Sequence, residues 1–243
     1  MKYTYNVGCL REKVTNKKIK DTYGINVDEL FYTNIIKYID KNNKKTIKAL
    51  DIGTGTGIVP RQIYNKINLN NKNIKIDAID TSQDLIKIAK SKDKKTNYFS
   101  DKANIQNSNY DVITNRLCPN FKVSTVSSSI KKDGVYIFKE YGSFRGMKEI
   151  KNLFKDTWVS GKNSTYFISK LNQQGFNYIT CQKFLYQRKY TIEDIDLILK
   201  STNLLKTYTK KDYNLIKHVL GTEFLITQDP YIIIASKSKN IFL

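Results

Sequence analysis

Between Ala49 and Gly57 the chain reads Ala-Leu-Asp-Ile-Gly-Thr-Gly-Thr-Gly, a stretch whose residue types suit the close approach of a ligand. Gly53, Gly55 and Gly57 occupy every second position after an apolar run, Ile47–Ile52, where a strand should end and a helix begin. Glycine allows a tight turn and leaves the backbone open to a bound molecule. The helix start behind such a turn offers unpaired N–H groups and a partial positive charge. A dinucleotide pyrophosphate uses a related turn with the spacing G-x-G-x-x-G. Counted from Gly53, the third glycine would stand at position 58, which is Ile58. Asp51, two residues before the first glycine, would repel a pyrophosphate and accept cationic groups. A purely structural glycine turn is the alternative reading of the segment.

Three more aspartates stand in order behind this turn. Asp80 ends the apolar run Ile74–Ile79, where a carboxylate can accept hydrogen bonds from both hydroxyls of a ribose. Asp101 follows Tyr98-Phe99, where it or its neighbours can meet an adenine amino group. Asp111 opens the run Tyr110–Thr114, whose Thr114-Asn115 end emerges at the same expected sheet edge. Each alone reads as a cap or a solvated turn residue. As a set placed after successive strands they match the rule that open α/β sheets bind ligands at the carboxyl ends of their strands.

The elements that must position these residues follow from the apolar patterning. Val27, Leu30, Phe31, Ile35, Ile36 and Ile39 recur at helical spacing within residues 1–46. Beyond them, Ile47–Ile52 predicts a strand, Ile58–Ile67 a helix and Ile74–Ile79 a strand. Asp80-Thr81-Ser82 can cap a helix through Leu85, Ile86, Ile88 and Ala89. Tyr98-Phe99, Tyr110–Thr114 and Gly134–Lys139 predict further strands, with a helix over Val123–Ile130. Helical patterns cover Met147–Thr157 and Thr165–Gln174. Phe176–Arg188 reads as a strand, and Phe224–Ser236 as the last one, broken at Asp229-Pro230. Two helices, near Ile192–Ser201 and Lys211–Leu220, lie between those strands. Strands alternating with helices of about ten residues predict βαβ units and a parallel sheet, an α/β fold.

The composition narrows the classes of function without choosing among them. The 243 residues suit one α/β domain with an insertion. Residues 1–46 are expected to form a helical cap, 47–188 and 222–243 the core sheet, and 189–221 a helical insertion. No apolar run approaches the ~18 residues of a membrane span, and the N-terminus lacks the apolar core of a secretory signal. Cys9, Cys118 and Cys181 form no C-x-x-C pair, so neither a disulfide framework nor a metal site is expected. These features predict a reduced, cytoplasmic chain. The formal charge of +20 favours an anionic partner such as nucleic acid or an acidic carrier protein. Only five of the 42 basic residues are arginines, however, and the lysines are scattered in twos and threes. That is also the pattern an AT-rich genome imposes.

With these residues in view, the chain resembles the class I methyltransferases that use S-adenosyl-L-methionine (SAM). ALDIGTGTG looks like their first motif and IDAIDTS like the acidic strand after it. YFSDKANI and YDVIT are similar to their adenine-contacting and fourth-strand motifs. The resemblance covers about residues 45–140 and implies a Rossmann-like sheet of order 3-2-1-4-5-7-6 with an antiparallel seventh strand. It implies that Asp51, Gly53, Thr54, Gly55, Thr56 and Gly57 hold the methionine part of SAM. Asp80 and Thr81 would hold the ribose, Asp101 and Lys102 the adenine edge, and Asn115 the pocket floor.

The stretch Asn115–Phe121, Asn-Arg-Leu-Cys-Pro-Asn-Phe, departs from the Asn/Asp-Pro-Pro-Tyr/Phe signature of enzymes that methylate exocyclic base nitrogens or glutamine. The chain looks closer to small-molecule methyltransferases, including those acting on quinone precursors or on a malonyl carrier protein. The expected acceptor is a small or carrier-bound molecule; an RNA methyltransferase and a non-catalytic SAM-fold binding module are the alternatives. Arg116 could bind an acidic group of the acceptor, Tyr141 could line its pocket, and Tyr23 could belong to an N-terminal lid. The N-terminal helices and the Lys189–Gly221 insertion are expected to build that lid. His218, the single histidine, reads as a solvated residue, and Cys118 as a packed one.

Overall fold

The computed structural model describes residues 26–67, 73–100, 109–118 and 120–239. Its described residues fall into two compact units, one of Val27–Glu140, Ser164–Gln182 and the chain from Tyr231, the other of Tyr141–Asn163 and Lys183–Pro230. No helix among the described residues is long and apolar enough to cross a membrane.

The first unit opens with helix α1, Val27–Lys41, whose buried residues Val27, Phe31, Tyr32, Ile35 and Ile39 form one stripe. Asp28 and Glu29 in its first turn and Lys41 in its last suit the helix dipole. The chain then alternates: β1 (Thr46–Ile52), α2 (Ile58–Lys66), β2 (Asn73–Ile79), α3 (Gln83–Lys92), β3 (Asn97–Phe99), β4 (Tyr110–Arg116), α4 (Val123–Ser129) and β5 (Ile130–Tyr141). After α5 (Lys148–Leu153), which belongs to the second unit, α6 (Ser164–Gln173) and β6 (Tyr178–Lys183) return to the first.

Strands β1 to β5 pair in parallel, in the spatial order β3-β2-β1-β4-β5. Their near-continuous burial is what a sheet covered on both faces requires. On one face Leu50, Ile52, Ile113, Tyr136 and Phe138 pack with Val126 of α4 and with Phe167 and Leu171 of α6. The other face carries α1, which runs down it from one strand end to the other. Its Asp28 pairs with Arg116 and Lys139 at the carboxyl ends of β4 and β5, and its Tyr38 hydroxyl reaches the Asp133 carbonyl at the opposite end of β5.

In the second unit, β7 (Tyr186–Thr191) and β8 (Glu223–Gln228) form a separate antiparallel pair. Around them α5, α7 (Ile192–Ser201) and α8 (Lys210–Leu220) bury Ile150, Trp158, Ile195, Leu199, Ile216 and Ile226 in one core. Thr191 with Asp194, and Thr209 with Asp212, close capping boxes that start α7 and α8.

The sheet order matches the expected one once the last strand, β9 (Pro230–Ser236), is counted seventh: it lies between β5 and β6. Two expected single strands are each divided. Phe176–Arg188 splits around Phe184-Leu185 into β6 and β7, and Phe224–Ser236 splits at Asp229 into β8 and β9. The second break has a clear cause. The Asp229 carboxylate accepts the N–H groups of Phe144 and Gly146 at 2.9 and 2.8 Å, and Pro230 has no N–H with which to continue a ladder.

Candidate functional site

The glycine turn sits where β1 ends and α2 begins. Gly53, Gly55 and Gly57 have φ of 70°, 56° and 76°, left-handed values that strain any residue with a Cβ. The turn is fastened from behind: Gly53 and Thr54 donate their N–H groups to the Ile79 carbonyl at 2.8 and 2.9 Å. A Cβ on Gly53 would fall 2.4 Å from the Cys118 sulfur, and one on Gly57 2.4 Å from the Tyr98 hydroxyl. At Gly55 the direction of a Cβ is open, with nothing within 4 Å among the described residues. Gly53 and Gly57 therefore serve packing, and Gly55 presents bare backbone that no described residue covers.

Asp80 does more for the turn than its place at the end of β2 foretold. One carboxylate oxygen accepts the Gly55 N–H at 2.9 Å and the other the Ser82 N–H at 2.9 Å. It thereby ties the middle of the glycine turn to the start of α3, where Ser82 is the N-cap. Each oxygen keeps a second lone pair for a ligand. Thr81 beside it is exposed.

Asp51 lies on β1 directly beneath the turn and is almost wholly buried, at 1% exposure. Its Oδ1 accepts the Thr114 hydroxyl at 2.7 Å. Its Oδ2 and the neighbouring Thr54 Oγ1 are buried and make no hydrogen bond among the described residues. Burial pushes the Asp51 carboxyl up to about 7, against the pull of Thr114, the nearby Thr54 and the positive charge of Arg116. A buried acceptor without a donor is costly, and here it stands beside backbone shaped for a close approach.

The sequence also places Asn115 and Arg116 at this edge. Asn115 is fully buried and clasps the turn after β4: its Nδ2 donates to the Cys118 carbonyl at 3.0 Å, and its Oδ1 accepts the Cys118 N–H at 3.2 Å. Arg116 grips Asp28 with Nε and Nη2, both at 2.9 Å, while the buried Lys139 adds a third contact at 2.7 Å. The two cations hold the Asp28 carboxyl well below the usual carboxylate range, against the opposing effect of burial. Burial pushes the Cys118 thiol up to about 12, so it remains protonated at neutral pH and packs against Gly53.

Tyr141 closes β5 in the second unit, its ring against Gly146, where a Cβ would fall 2.7 Å from it. His218 is exposed in the last turn of α8. Tyr23, Asp101 and Lys102 lie outside the described residues. Sequence reasoning missed Asp28 and Lys139 as parts of this edge, and it placed Thr114 there without its bond to Asp51. The period-two alternation of YDVIT could have put Thr114 on the face of Asp51, but the landing of α1 on β4 and β5 is a tertiary fact.

Neither a scan against protein-family models nor a search of curated proteins returns a match. Solved structures do. The chain is similar to phosphoethanolamine N-methyltransferase 2 of Haemonchus contortus, crystallised with phosphomonomethylethanolamine and S-adenosylhomocysteine, with a TM-score of 0.57 at 17% identity over 98% of this chain and 58% of that one. It thus spans little more than half of that enzyme's length. A candidate methyltransferase of Bacillus halodurans C-125 matches with a TM-score of 0.56 at 15% identity, covering 85% of this chain and 100% of the other. The 4+2 cyclase SpnF matches with a TM-score of 0.60 at 12% identity, covering 96% and 93%. At such identities the likeness is one of fold. This chain carries the Rossmann-like fold of the class I SAM-dependent methyltransferases.

Proposed function

We propose that the chain is a SAM-dependent methyltransferase acting on a small or carrier-bound acceptor. The observation that carries the reading is the Oδ2 of buried Asp51, which has no hydrogen bond among the described residues, beneath a glycine turn whose Gly55 has no close neighbour among them. A ligand bringing a cationic amino group to Asp51 would supply the missing donor and draw the carboxyl into its ionised form. Gly53–Gly57, with Thr54 and Thr56, would take the amino-acid end, Asp80 and Thr81 the ribose, Asp101 and Lys102 the adenine edge, with Asn115 as the floor. When bound, SAM supplies an activated methyl group on a sulfonium.

What remains for the protein is positioning. An acceptor held within about 3–3.5 Å of the methyl carbon, with water excluded, gains much of the rate. Arg116 and Lys139, with Tyr141 and Tyr23, are our candidates for shaping the acceptor side. The solved relatives lend support in kind: phosphoethanolamine N-methyltransferase 2 was crystallised in complex with phosphomonomethylethanolamine, a small molecule, and S-adenosylhomocysteine. SpnF shows that the fold also serves a cyclase, so the fold alone does not choose the reaction.

Isothermal titration tests the reading. The proposal expects one-to-one binding of both SAM and S-adenosylhomocysteine, with proton release near pH 6 as Asp51 ionises. Binding of neither at millimolar concentration would overturn it and leave a protein that keeps the fold without the cofactor.

A further inference from the structure

Lysines gather at the edge of the large sheet where its parallel strands begin. Lys45 directly precedes β1, Lys94 and Lys95 precede β3, and Lys75 and Lys132 each lie two residues past the start of β2 and β5. Ser236 at the end of β9 donates its hydroxyl to the Gly134 carbonyl near the start of β5, which brings Lys237 to the same edge. Only β4 begins without a lysine of its own. There the buried Asp111 accepts Lys44 and Lys131 at 2.7 and 2.8 Å, so its charge is met from the neighbouring strands.

The opposite edge is built differently. The turns that leave β1 and β2 there, Gly53–Gly57 and Asp80–Ser82, carry no lysine, and Asp51 and Asp80 stand beside them. Arg116 and Lys139, at the ends of β4 and β5, meet Asp28. A bias of composition alone would load both edges alike.

The row crosses five strand intervals in the order β3-β2-β1-β4-β5-β9, about 24 Å at roughly 4.8 Å each. One strand of a duplex places a phosphate every ~3.4 Å, so that length faces about seven phosphates and outruns any single nucleotide. Lys45, Lys75, Lys94 and Lys132 are exposed and form no ion pair among the described residues. The exposed large apolar side chains of this unit, Leu30 and Tyr166, lie in the first turns of α1 and α6 and not at a strand start. A membrane interface uses such residues for insertion, and a protein interface favours aromatic or arginine anchors. A chain of phosphates needs neither, since lysine acts on it as a point charge.

We propose that the amino edge of the sheet is a binding surface for a polynucleotide backbone, read by charge and not by sequence. It holds the polymer at the edge opposite the glycine turn and leaves the candidate cofactor site open. The surface is independent of the cofactor reading, and either can fail without the other.

Fluorescence anisotropy of a labelled single-stranded RNA of about 20 nucleotides, between about 50 and 200 mM salt, tests it. The wild type should bind with a dissociation constant of about 1–100 μM at physiological salt and weaken steeply as salt rises. Lys45→Ala, Lys75→Ala and Lys132→Ala combined should lose about tenfold or more and make the logarithmic salt slope shallower by about 2, at about 0.7 per lost contact. Lys45→Arg, Lys75→Arg and Lys132→Arg combined should keep the wild-type slope. Lys155→Ala, Lys211→Ala and Lys217→Ala combined remove as much charge from exposed positions of the second unit and should leave the slope unchanged. Equal weakening by the two alanine triples would overturn the proposal, because total charge and not the row would then be at work. So would the absence of RNA binding at about 50 mM salt. Binding to phosphatidylserine vesicles without binding to RNA would overturn it too, and give the edge to a membrane.

Discussion

Replacing Asp51 by asparagine should stabilise the free protein and weaken its ligand binding, two effects of opposite sign from one substitution. A carboxyl held at about 7 in the folded chain and at 3.8 when exposed disfavours the ionised native state above neutrality by about 4 kcal/mol, at 1.36 kcal/mol per pH unit. Asp51→Asn removes that cost and keeps an acceptor for the Thr114 hydroxyl. Its amide nitrogen, though, becomes a buried donor with only the Thr54 hydroxyl beside it to accept, at about 1–3 kcal/mol. The net expectation at pH 8 is a gain of about 1–3 kcal/mol in urea unfolding of the free protein. The pH profile is the sharper signature. Between about pH 4 and pH 7 the folded wild type binds a proton that the unfolded chain has released, so wild-type stability falls as pH rises through that window and is level above it. The advantage of Asp51→Asn should therefore shrink by about 2–3 kcal/mol on going from pH 8 to pH 5. In the same variant S-adenosylhomocysteine affinity should fall at least tenfold. A variant no more stable than wild type at pH 8, with parallel pH profiles, would refute the reasoning from the buried carboxylate.

Other substitutions separate packing from binding. Gly55→Ala should cost about 1–2 kcal/mol for its left-handed φ and abolish most cofactor affinity, because its Cβ enters open space. Gly57→Ala meets the Tyr98 hydroxyl and should chiefly lower the melting temperature; the reverse ranking in calorimetry would contradict the assignment. Asp28→Asn removes the carboxylate that the buried Lys139 and Arg116 share and should cost about 1–3 kcal/mol at pH 7. Because the folded Asp28 carboxyl lies well below its unfolded value, that contribution is complete above the unfolded value and fades as acid protonates the folded form, so the gap between variant and wild type should narrow as pH falls below about 4. In the second unit, Asp229→Ala leaves the N–H groups of Phe144 and Gly146 without their acceptor and should cost about 1–3 kcal/mol, with cofactor affinity unchanged.

Much of the fold was legible because its signals are local. Apolar runs of strand length alternating with helical stripes placed Ile47–Ile52, Ile74–Ile79, Tyr110–Thr114 and Ile192–Ser201 within a residue or two of β1, β2, β4 and α7. The glycines of the turn were readable because positive φ leaves glycine as the unstrained choice, as their φ values bear out. What escaped depends on contacts remote in sequence. Nothing local in Phe224–Ser236 shows that its first half pairs with Tyr186–Thr191 while its second half enters the large sheet; that is settled by Asp229 folding onto residues more than eighty positions away. The Asp28–Arg116 pair likewise joins residues 88 apart, and it exists only because α1 lands there. Arg116 was legible as an edge residue, whereas its engagement by Asp28 was not.

The most direct measurement is a crystal structure grown with S-adenosylhomocysteine. The account predicts the ligand's ammonium within hydrogen-bonding distance of Asp51 Oδ2, its amino-acid end along Gly53–Gly57 over the open side of Gly55, and its ribose at Asp80. Density for the ligand elsewhere, with Asp51 still unpartnered beneath a bare turn, would contradict it.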